Sequence, residues 1–440
     1  MAGIFKAYDI RGVYGRDLTD PLAEQIGRAY VTLTGAKTVV VGRDCRPHSP
    51  ALFAALTRGI TRQGADVIDI GVCSTPMSYY ANGSLGADGS VIITASHNTA
   101  EWNGFKLCRA NAVPISGATG IADIERIVQE EAFAPSPIQP GTIRQHDILS
   151  AYRTHVAGFK RTSRRLPVAV DMANGMGIWE AKTLDGLIDM HPLFDTPDGT
   201  FPNHEANPLK TETLADLQAL VRRGQYAFGV CFDGDADRAG FVDETGEIVP
   251  MDLITALIAQ DILATRKGVI FYDLRSSRVV PEVIEAAGGT PRMSRVGHAF
   301  IKQQMREHDA LFAGELSGHY YFRDNYTAES SAMAVLSIAN ILGQSDRPLS
   351  AWIRPLCKYA QSGEINSHVS RDPRAILDAI REHYRNGRLT ELDGVSIAFD
   401  DWWFNVRCSN TEPLVRLNLE ARTPDLMAAK RDEVLACIRA

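Results

Sequence analysis

Apolar and polar residues follow one another along this chain in two periods that recur in a fixed order. Near the N-terminus Leu22, Ile26, Ala29, Tyr30 and Leu33 share one face at helical spacing, between Asp20-Pro21 and Gly35. An aspartate cap, a proline at the first helical position and a glycine past the end predict a helix there. Val39-Val40-Val41-Gly42 then reads as a buried strand. Ser49-Pro50 caps a second helix carrying Leu52, Leu56 and Ile60, and Gly64 ends it before a strand at Val67-Ile68-Asp69-Ile70. Strand, helix and strand in that order predict a mostly parallel sheet.

The same grammar returns twice. Val168-Ala169-Val170-Asp171 and Val269-Ile270-Phe271-Tyr272-Asp273 open units as Val39-Val40-Val41 does. In each unit a later apolar strand runs into a polar, glycine-containing loop. The pairs are Ser90-Val91-Ile92-Ile93 into residues 94–98, Phe228-Gly229-Val230-Cys231-Phe232 into 233–238, and Ala310-Leu311-Phe312-Ala313 into 314–319. Ligands of doubly wound sheets bind beyond the carboxyl ends of strands, so three such loops are expected to meet at one cleft. Breaks fall near residues 135–141, after Thr245-Gly246 and around 357–363. The last unit has mixed antiparallel character, with helices at 372–384 and 424–439 beside strands at 394–399, 403–407 and 414–419. Lys160, Arg161, Arg164 and Arg165 read as a solvated linker, and Trp402 and Trp403 as packing residues.

Composition sharpens this picture without changing it. A chain of 440 residues exceeds one hydrophobic core and predicts three or four domains. Apolar residues at 45% and charged ones at 22% are those of a soluble globular protein, and no apolar run reaches membrane-spanning length. The start, Met1 to Lys6, has no secretory pattern, so the cytoplasm is the expected compartment. Seven cysteines without a C-x-x-C pair predict reduced thiols scattered in cores rather than a disulfide frame or zinc site. A net charge of −7 argues against nucleic-acid binding but leaves room for a small anion where cations converge.

Two stretches carry the chemistry. In Asp233-Gly234-Asp235-Ala236-Asp237-Arg238, three aspartates at alternate positions would repel one another unless a hard cation joins them. An EF-hand is excluded, because Arg238 stands where that loop needs glycine and the flanks read as strands. A phosphatase with Asp233 as nucleophile remains open. Ser96, in Thr94-Ala95-Ser96-His97-Asn98, is a weak signal alone, and its neighbour His97 does not make a triad by adjacency.

The extended string changes that reading. Thr94 to Asn98 followed by Asn103-Gly104-Phe105-Lys106 resembles the phosphoserine loop of the α-D-phosphohexomutases. Four more stretches resemble that family's motifs in the same order. They are Lys6 to Gly12 with Tyr8 and Arg11, the metal loop 233–238, the sugar loop Gly314 to His319, and the phosphate loop Arg407-Cys408-Ser409-Asn410-Thr411-Glu412-Pro413. Within the family the likeness is to the bacterial phosphomannomutases of the GDP-mannose pathway. Pro197 to Asn203, Gly297 to Lys302 and Ser362 to Ser367 support it.

The resemblance implies an α/β fold of four domains around a central cleft: three related mixed-sheet α/β domains (1–146, 147–248, 249–356) and a C-terminal α+β domain (357–440), each supplying one loop. It implies catalytic roles for Ser96, Arg11, Lys106, Arg238 and His298, and an Mg²⁺ site made by Ser96, Asp233, Asp235 and Asp237. Substrate binding falls to Tyr8, His97, Arg275, Glu315, Ser317, His319, Arg407, Ser409, Asn410 and Thr411. The implied reaction exchanges hexose 1- and 6-phosphates through a hexose 1,6-bisphosphate. The partners are small hexose phosphates, and a monomer or weak homodimer is expected. The chain departs from the pattern at Thr99, where the family has proline, and at Arg275, where some relatives carry lysine. Mannose versus glucose stays open, as does the proton carrier, Lys106 or His298. A sugar-phosphate binding module without turnover is the non-enzymatic alternative.

Overall fold

A computed structural model describes residues 3–408 and 414–439. Its architecture is set by four sheets, three of them built on one plan. In the first, Thr38–Arg43 lies between Asp66–Val72 and Gly89–Ile93, parallel to both, and Gly89–Ile93 then pairs antiparallel with Trp102–Arg109. In the second, Pro167–Asp171 is parallel to Asp189–Leu193 and Phe228–Phe232, and Phe228–Phe232 pairs antiparallel with Ala239–Asp243. The third repeats this with Val269–Asp273 between Thr290–Ser294 and Phe312–Gly314, the latter antiparallel to Tyr320–Phe322. The three valine-led strands are thus the middle members of the three parallel strands described in each sheet. Their near-continuous apolar runs are what a strand covered on both faces requires.

The plan explains where the polar loops fall. Each joins the carboxyl end of a parallel strand to the antiparallel strand that follows, so residues 94–101, 233–238 and 315–319 occupy equivalent places in three sheets. The fourth sheet is antiparallel throughout, in the order Ala360–His368, Leu414–Ala421, Trp402–Cys408, Val395–Ala398, Arg388–Thr390, with helices Pro373–His383 and Pro424–Arg439.

Helix starts differ by one residue from the sequence expectation. Helix Asp20–Thr34 is capped by Thr19, whose hydroxyl accepts the Leu22 N–H at 3.4 Å, and Gly35 ends it at φ 65°. Helix Ser49–Arg62 has no side-chain cap, because the Ser49 hydroxyl donates instead to Asp44 at 2.5 Å. All seven cysteines are free thiols; Cys73, Cys108 and Cys231 are buried, but Cys357 is exposed and the rest are half-buried, so the thiols are not confined to cores. The basic linker is tied down by ion pairs, Arg161 to Asp261 and Arg164 to Asp346. No described helix is long and apolar enough to cross a membrane.

Candidate active site

Ser96 begins the site in a strained conformation. Its φ of 52° lies in the left-handed region, which a side-chain-bearing residue holds only when its surroundings insist. The insistence comes from two arginines. Arg11, paired with Asp9, donates to the Ala95 carbonyl at 3.2 Å and to Asn98 Oδ1 at 2.8 Å. Arg46, only 1% exposed and held by Asp44, donates to the carbonyls of Ser96, Asn98, Thr99 and Trp102 at 2.6–3.0 Å. Those four bonds hold the loop on both sides of Asn98. Sequence reasoning missed Arg46; the signal available was Arg43-Asp44-Cys45-Arg46 directly after a buried parallel strand.

The Ser96 hydroxyl donates to Asp233 Oδ2 at 2.9 Å, bringing the first and second loops together. Gly234 permits this approach, since a Cβ there would stand 2.3 Å from the Ser96 carbonyl oxygen. Asp233, Asp235 and Asp237 are buried, with ligand oxygens within 4.8 Å of one another. The Oδ1 atoms of Asp235 and Asp237 are buried without a hydrogen-bond partner. Acceptors of this kind fit a hard cation, and the three carboxylates could hold a metal ion. Thr75 Oγ donates to Asp235 at 2.6 Å, and Ser331 Oγ to the Ala236 carbonyl at 2.7 Å, bracing the loop from the first and third domains. Burial and repulsion from Asp235 and Asp237 push the Asp233 carboxyl up to about 7. Burial acts in the same direction on Asp237, but Lys106, His319 and Arg238 outweigh it and hold that carboxyl well below the usual range.

Lys106 donates to Asp235 at 2.6 Å and also to Asp237, and despite its burial these carboxylates raise its pKa. Arg238 Nε lies 3.6 Å from Asp233 and 3.2 Å from His319 Nε2. Burial disfavours a charged His319, but Asp237 and Glu315 hold its pKa up at about 9. Its Nδ1 lies 2.8 Å from Glu315 Oε2, and its Nε2 stands 3.2 Å from Asp237 Oδ1 and 3.2 Å from Arg238 Nε. Burial, then Arg238 and Arg11, keep His97 neutral; its Nδ1 sits 3.3 Å from Ser96 Oγ.

The third loop is stitched to the second by the Arg238–His319 bridge and by the Ala239 N–H to the Gly318 carbonyl at 3.0 Å. Within it Ser317 Oγ donates to Glu315 at 2.8 Å, and Glu315 also accepts the Gly297 N–H at 3.2 Å. Gly297, at φ 129°, has no room for a Cβ, which would lie 2.7 Å from the Tyr8 ring. Tyr8 donates to the Val296 carbonyl at 3.0 Å and meets the His298 ring edge-on at 5.8 Å. Arg275 is clamped by Asp273, which also accepts the Leu316 N–H at 2.9 Å. From the fourth domain Arg407 pairs with Glu364 at 2.5 Å, and the same carboxylate reaches Arg416 at 3.5 Å and Arg275 at 3.9 Å. Burial tends to raise the Glu364 pKa, yet Arg407 and Arg275 bring it below the usual value. Glu364 was not singled out from the sequence as a site residue. Ser409, Asn410 and Thr411 lie outside the described residues. A surface recess of about 450 Å³ lined by Glu24, Arg58 and Arg62 contains none of these groups.

A triplicated α/β body that presents a serine, three carboxylates and a ring of cations to a fourth, antiparallel domain is the framework of a phosphohexomutase-class enzyme. The chain belongs to the phosphoglucomutase/phosphomannomutase family. It matches that family's alpha/beta/alpha domain I over residues 2–135, domain II over 150–246, domain III over 250–359 and C-terminal domain over 364–436. A phosphomannomutase of Escherichia coli K12 is 39% identical over 432 residues, 95% of this chain and 94% of its own. One from Methanocaldococcus jannaschii is 40% identical, covering 98% of this chain and 96% of its own. The crystal structure of a phosphoglucomutase/phosphomannomutase family protein from Burkholderia thailandensis superposes with a TM-score of 0.92 at 31% identity, over 99% of this chain and 96% of that one.

Proposed function

We propose that this enzyme interconverts mannose 1-phosphate and mannose 6-phosphate, with glucose phosphates as further substrates, through phosphorylated Ser96 and a hexose 1,6-bisphosphate. The observation that carries this reading is the hydrogen bond from Ser96 Oγ to Asp233, which puts a strained serine hydroxyl beside three buried carboxylates and among Arg11, Lys106 and Arg238. Mg²⁺ is the cation we assign to Asp233, Asp235 and Asp237, because all the donors are hard oxygens; when bound, it offsets charge on a phosphoryl group at Ser96.

The chain's own residues supply the rest. Arg11 and Arg46 hold the serine loop in place before the reaction, so no reorganisation is needed as the phosphoryl group leaves. Glu315 and Ser317 are the sugar-hydroxyl contacts, and Arg275 and Arg407 grip the phosphate that is not being transferred. The bisphosphate must turn end over end between transfers, so that grip has to accept either phosphate and then let go. The competing phosphatase reading gives Ser96 no role, whereas the Ser96 hydroxyl donates to Asp233 at 2.9 Å.

The test is initial turnover of mannose 1-phosphate and glucose 1-phosphate with Mg²⁺ and a trace of glucose 1,6-bisphosphate, following both 6-phosphate and free phosphate. Formation of 6-phosphate is expected, faster from mannose 1-phosphate. Free phosphate alone would overturn the mutase in favour of a phosphatase.

A further inference from the structure

The segment between Phe194 and Ala206 belongs to the second domain and reaches both Arg46 and the aspartate loop. It is itself held rigid. Asn174, at φ 55°, accepts the Asp198 N–H on its carbonyl at 2.8 Å, donates from Nδ2 to the Thr196 carbonyl at 2.9 Å and accepts from Asn203 Nδ2 at 2.7 Å. Asp198 in turn accepts the Phe201 N–H on its carbonyl at 3.0 Å and the Thr200 N–H on its Oδ1 at 2.9 Å. Phe201 is left at φ 54°, a conformation that a side-chain-bearing residue keeps only where its surroundings over-determine it. On one side the segment presses on the first domain, since a Cβ on Gly199 would stand 2.4 Å from Arg46 Cα and 2.6 Å from the Cys45 carbonyl oxygen. On the other it meets the aspartate loop, where the Ala206 carbonyl accepts the Gly234 N–H at 3.2 Å.

The Phe201 ring makes the same two contacts. Its centroid lies 4.9 Å from the Arg46 guanidinium carbon, and its tip, Cζ, stands 3.5 Å from the place a Cβ would take on Gly234. All five N–H groups of that guanidinium are used in its plane, one on Asp44 and four on the carbonyls of Ser96, Asn98, Thr99 and Trp102. Only its faces remain, and an aromatic ring is attracted to the face of a cation, most strongly where water is excluded. As packing alone the ring would be poorly placed. It is half-buried, and it joins none of the apolar cores formed by the described residues.

We propose that Phe201 is a positioning residue that fixes the distance between Ser96 and the aspartates: one face of its ring holds Arg46 against the Ser96 backbone, and its tip bears on Gly234 of the aspartate loop. This rests on the mutase reading. Arg46 belongs to the first domain and Gly234 to the second, so the ring works across the seam at which the Ser96 Oγ–Asp233 contact of 2.9 Å is made. Phosphoryl transfer is catalysed chiefly by positioning, and a displacement of about 1 Å in such a site costs up to about 10²-fold in rate. The contacts assigned to the sugar and to the other phosphate, Glu315, Ser317, Arg275 and Arg407, come from the third and fourth domains, so substrate affinity does not depend on the ring. Pro197 to Asn203, whose pattern alone assigns it no chemistry, thereby acquires a function.

The experiment compares the full-length wild type, F201M, R46K and F201M/R46K in kcat and KM for mannose 1-phosphate with Mg²⁺, and in Mn²⁺ affinity without substrate, read by electron paramagnetic resonance. Mn²⁺ is the probe of the three carboxylates, and methionine keeps apolar bulk while removing the ring face. F201M is expected to lower kcat about 30-fold, within the range for a misplaced reacting group, to leave KM within about 2-fold and to weaken Mn²⁺ binding about 5-fold. In the R46K background the same substitution should lower kcat by no more than about 3-fold, because residues that act through one contact are not additive. An unchanged kcat, a loss confined to KM, a full-sized loss in the R46K background or an unchanged Mn²⁺ affinity overturns the proposal. If F201M does not fold, F201L is read in the same way; if R46K does not, the split between kcat and KM and the Mn²⁺ affinity decide the matter. Absence of wild-type turnover would sink the mutase reading instead, and the Mn²⁺ affinities would still uphold or overturn the contact with the aspartate loop.

Discussion

The first three domains and the fourth are held together by different physics. One apolar cluster joins the three domains of the body, from Val40 and Met77 through Val168 and Phe232 to Ile270 and Leu336, beside a further cluster that belongs to the first domain alone. The fourth domain keeps a core of its own, Ile376, Val395, Phe404, Val415 and Leu435 among others, outside that cluster. Tyr359 of the fourth domain packs on the body's cluster, and polar contacts also cross between them. Arg278 donates to the carbonyls of Asp400 and Trp402, its N–H binds Glu420, Gln361 binds Asp252 at 2.9 Å, and Glu364 faces Arg275. An interface of hydrogen bonds and ion pairs exchanges with water at little cost, whereas a shared apolar core opens only by exposing it. Ser96, proposed to carry the phosphoryl group, and the aspartates proposed to hold the cation belong to the body. Arg407, assigned to the other phosphate, belongs to the domain that can let go.

With the work divided in this way, substitutions in the body should act on kcat and substitutions in the fourth domain on KM. The largest effect is expected for Ser96→Ala, which removes the phosphoryl carrier and should leave less than about 10⁻⁴ of wild-type turnover, comparable to loss of an activated nucleophile. Retention of most activity would end the phosphoserine assignment. Next comes Arg238→Ala, expected to lower kcat by about 10²–10³, as deletion of one preorganised cationic contact does. Steady-state kinetics with circular dichroism as a check on folding would measure it. An unchanged kcat removes Arg238 from the chemistry. Arg407→Ala should cost about tenfold, a contact worth roughly 1.4 kcal/mol, and chiefly in KM for both monophosphates. A pure kcat loss there would erase the distinction between body and fourth domain.

How much of this could be read from the sequence follows the same division. The triplication, the apolar parallel strands and the placing of three polar loops at strand ends are local patterns, and they were legible because a doubly covered parallel strand must be apolar along its length. The meeting of Ser96 with the aspartate loop followed from the motifs. Arg46 was not singled out: a charged turn after a buried strand marks a site, but the contact it makes lies 50 residues away at Ser96, and no short spacing encodes that partner. The strand Ala360–His368 reads in the sequence as a boundary because its residues are mostly polar and a bulge between Gln361 and Glu364 breaks its alternation.

The smallest expected effect tests whether the body is one unit at all. Glu180, wholly buried in the second domain, accepts from Ser74 of the first and Tyr152 of the second, and Tyr152 in turn meets Ser330 of the third at 3.2 Å. Burial pushes its carboxyl from an ordinary 4.5 up to about 7. Below about 4.5 the folded and unfolded chains both carry the proton and nothing is lost; as pH rises through about 7 the folded body must ionise a buried group that the unfolded chain has already ionised. Stability from Glu180 therefore falls across that window. Glu180→Gln keeps an acceptor but no titration, so its Tm should gain on the wild type by about 3 °C between those limits. Scanning calorimetry at several pH values reads this directly. A gain confined to the transition that unfolds the first three domains together supports one cooperative body. Equal pH dependence in the two proteins would mean that the three-domain junction stays neutral or hydrated throughout, and that the shared apolar cluster alone joins the domains.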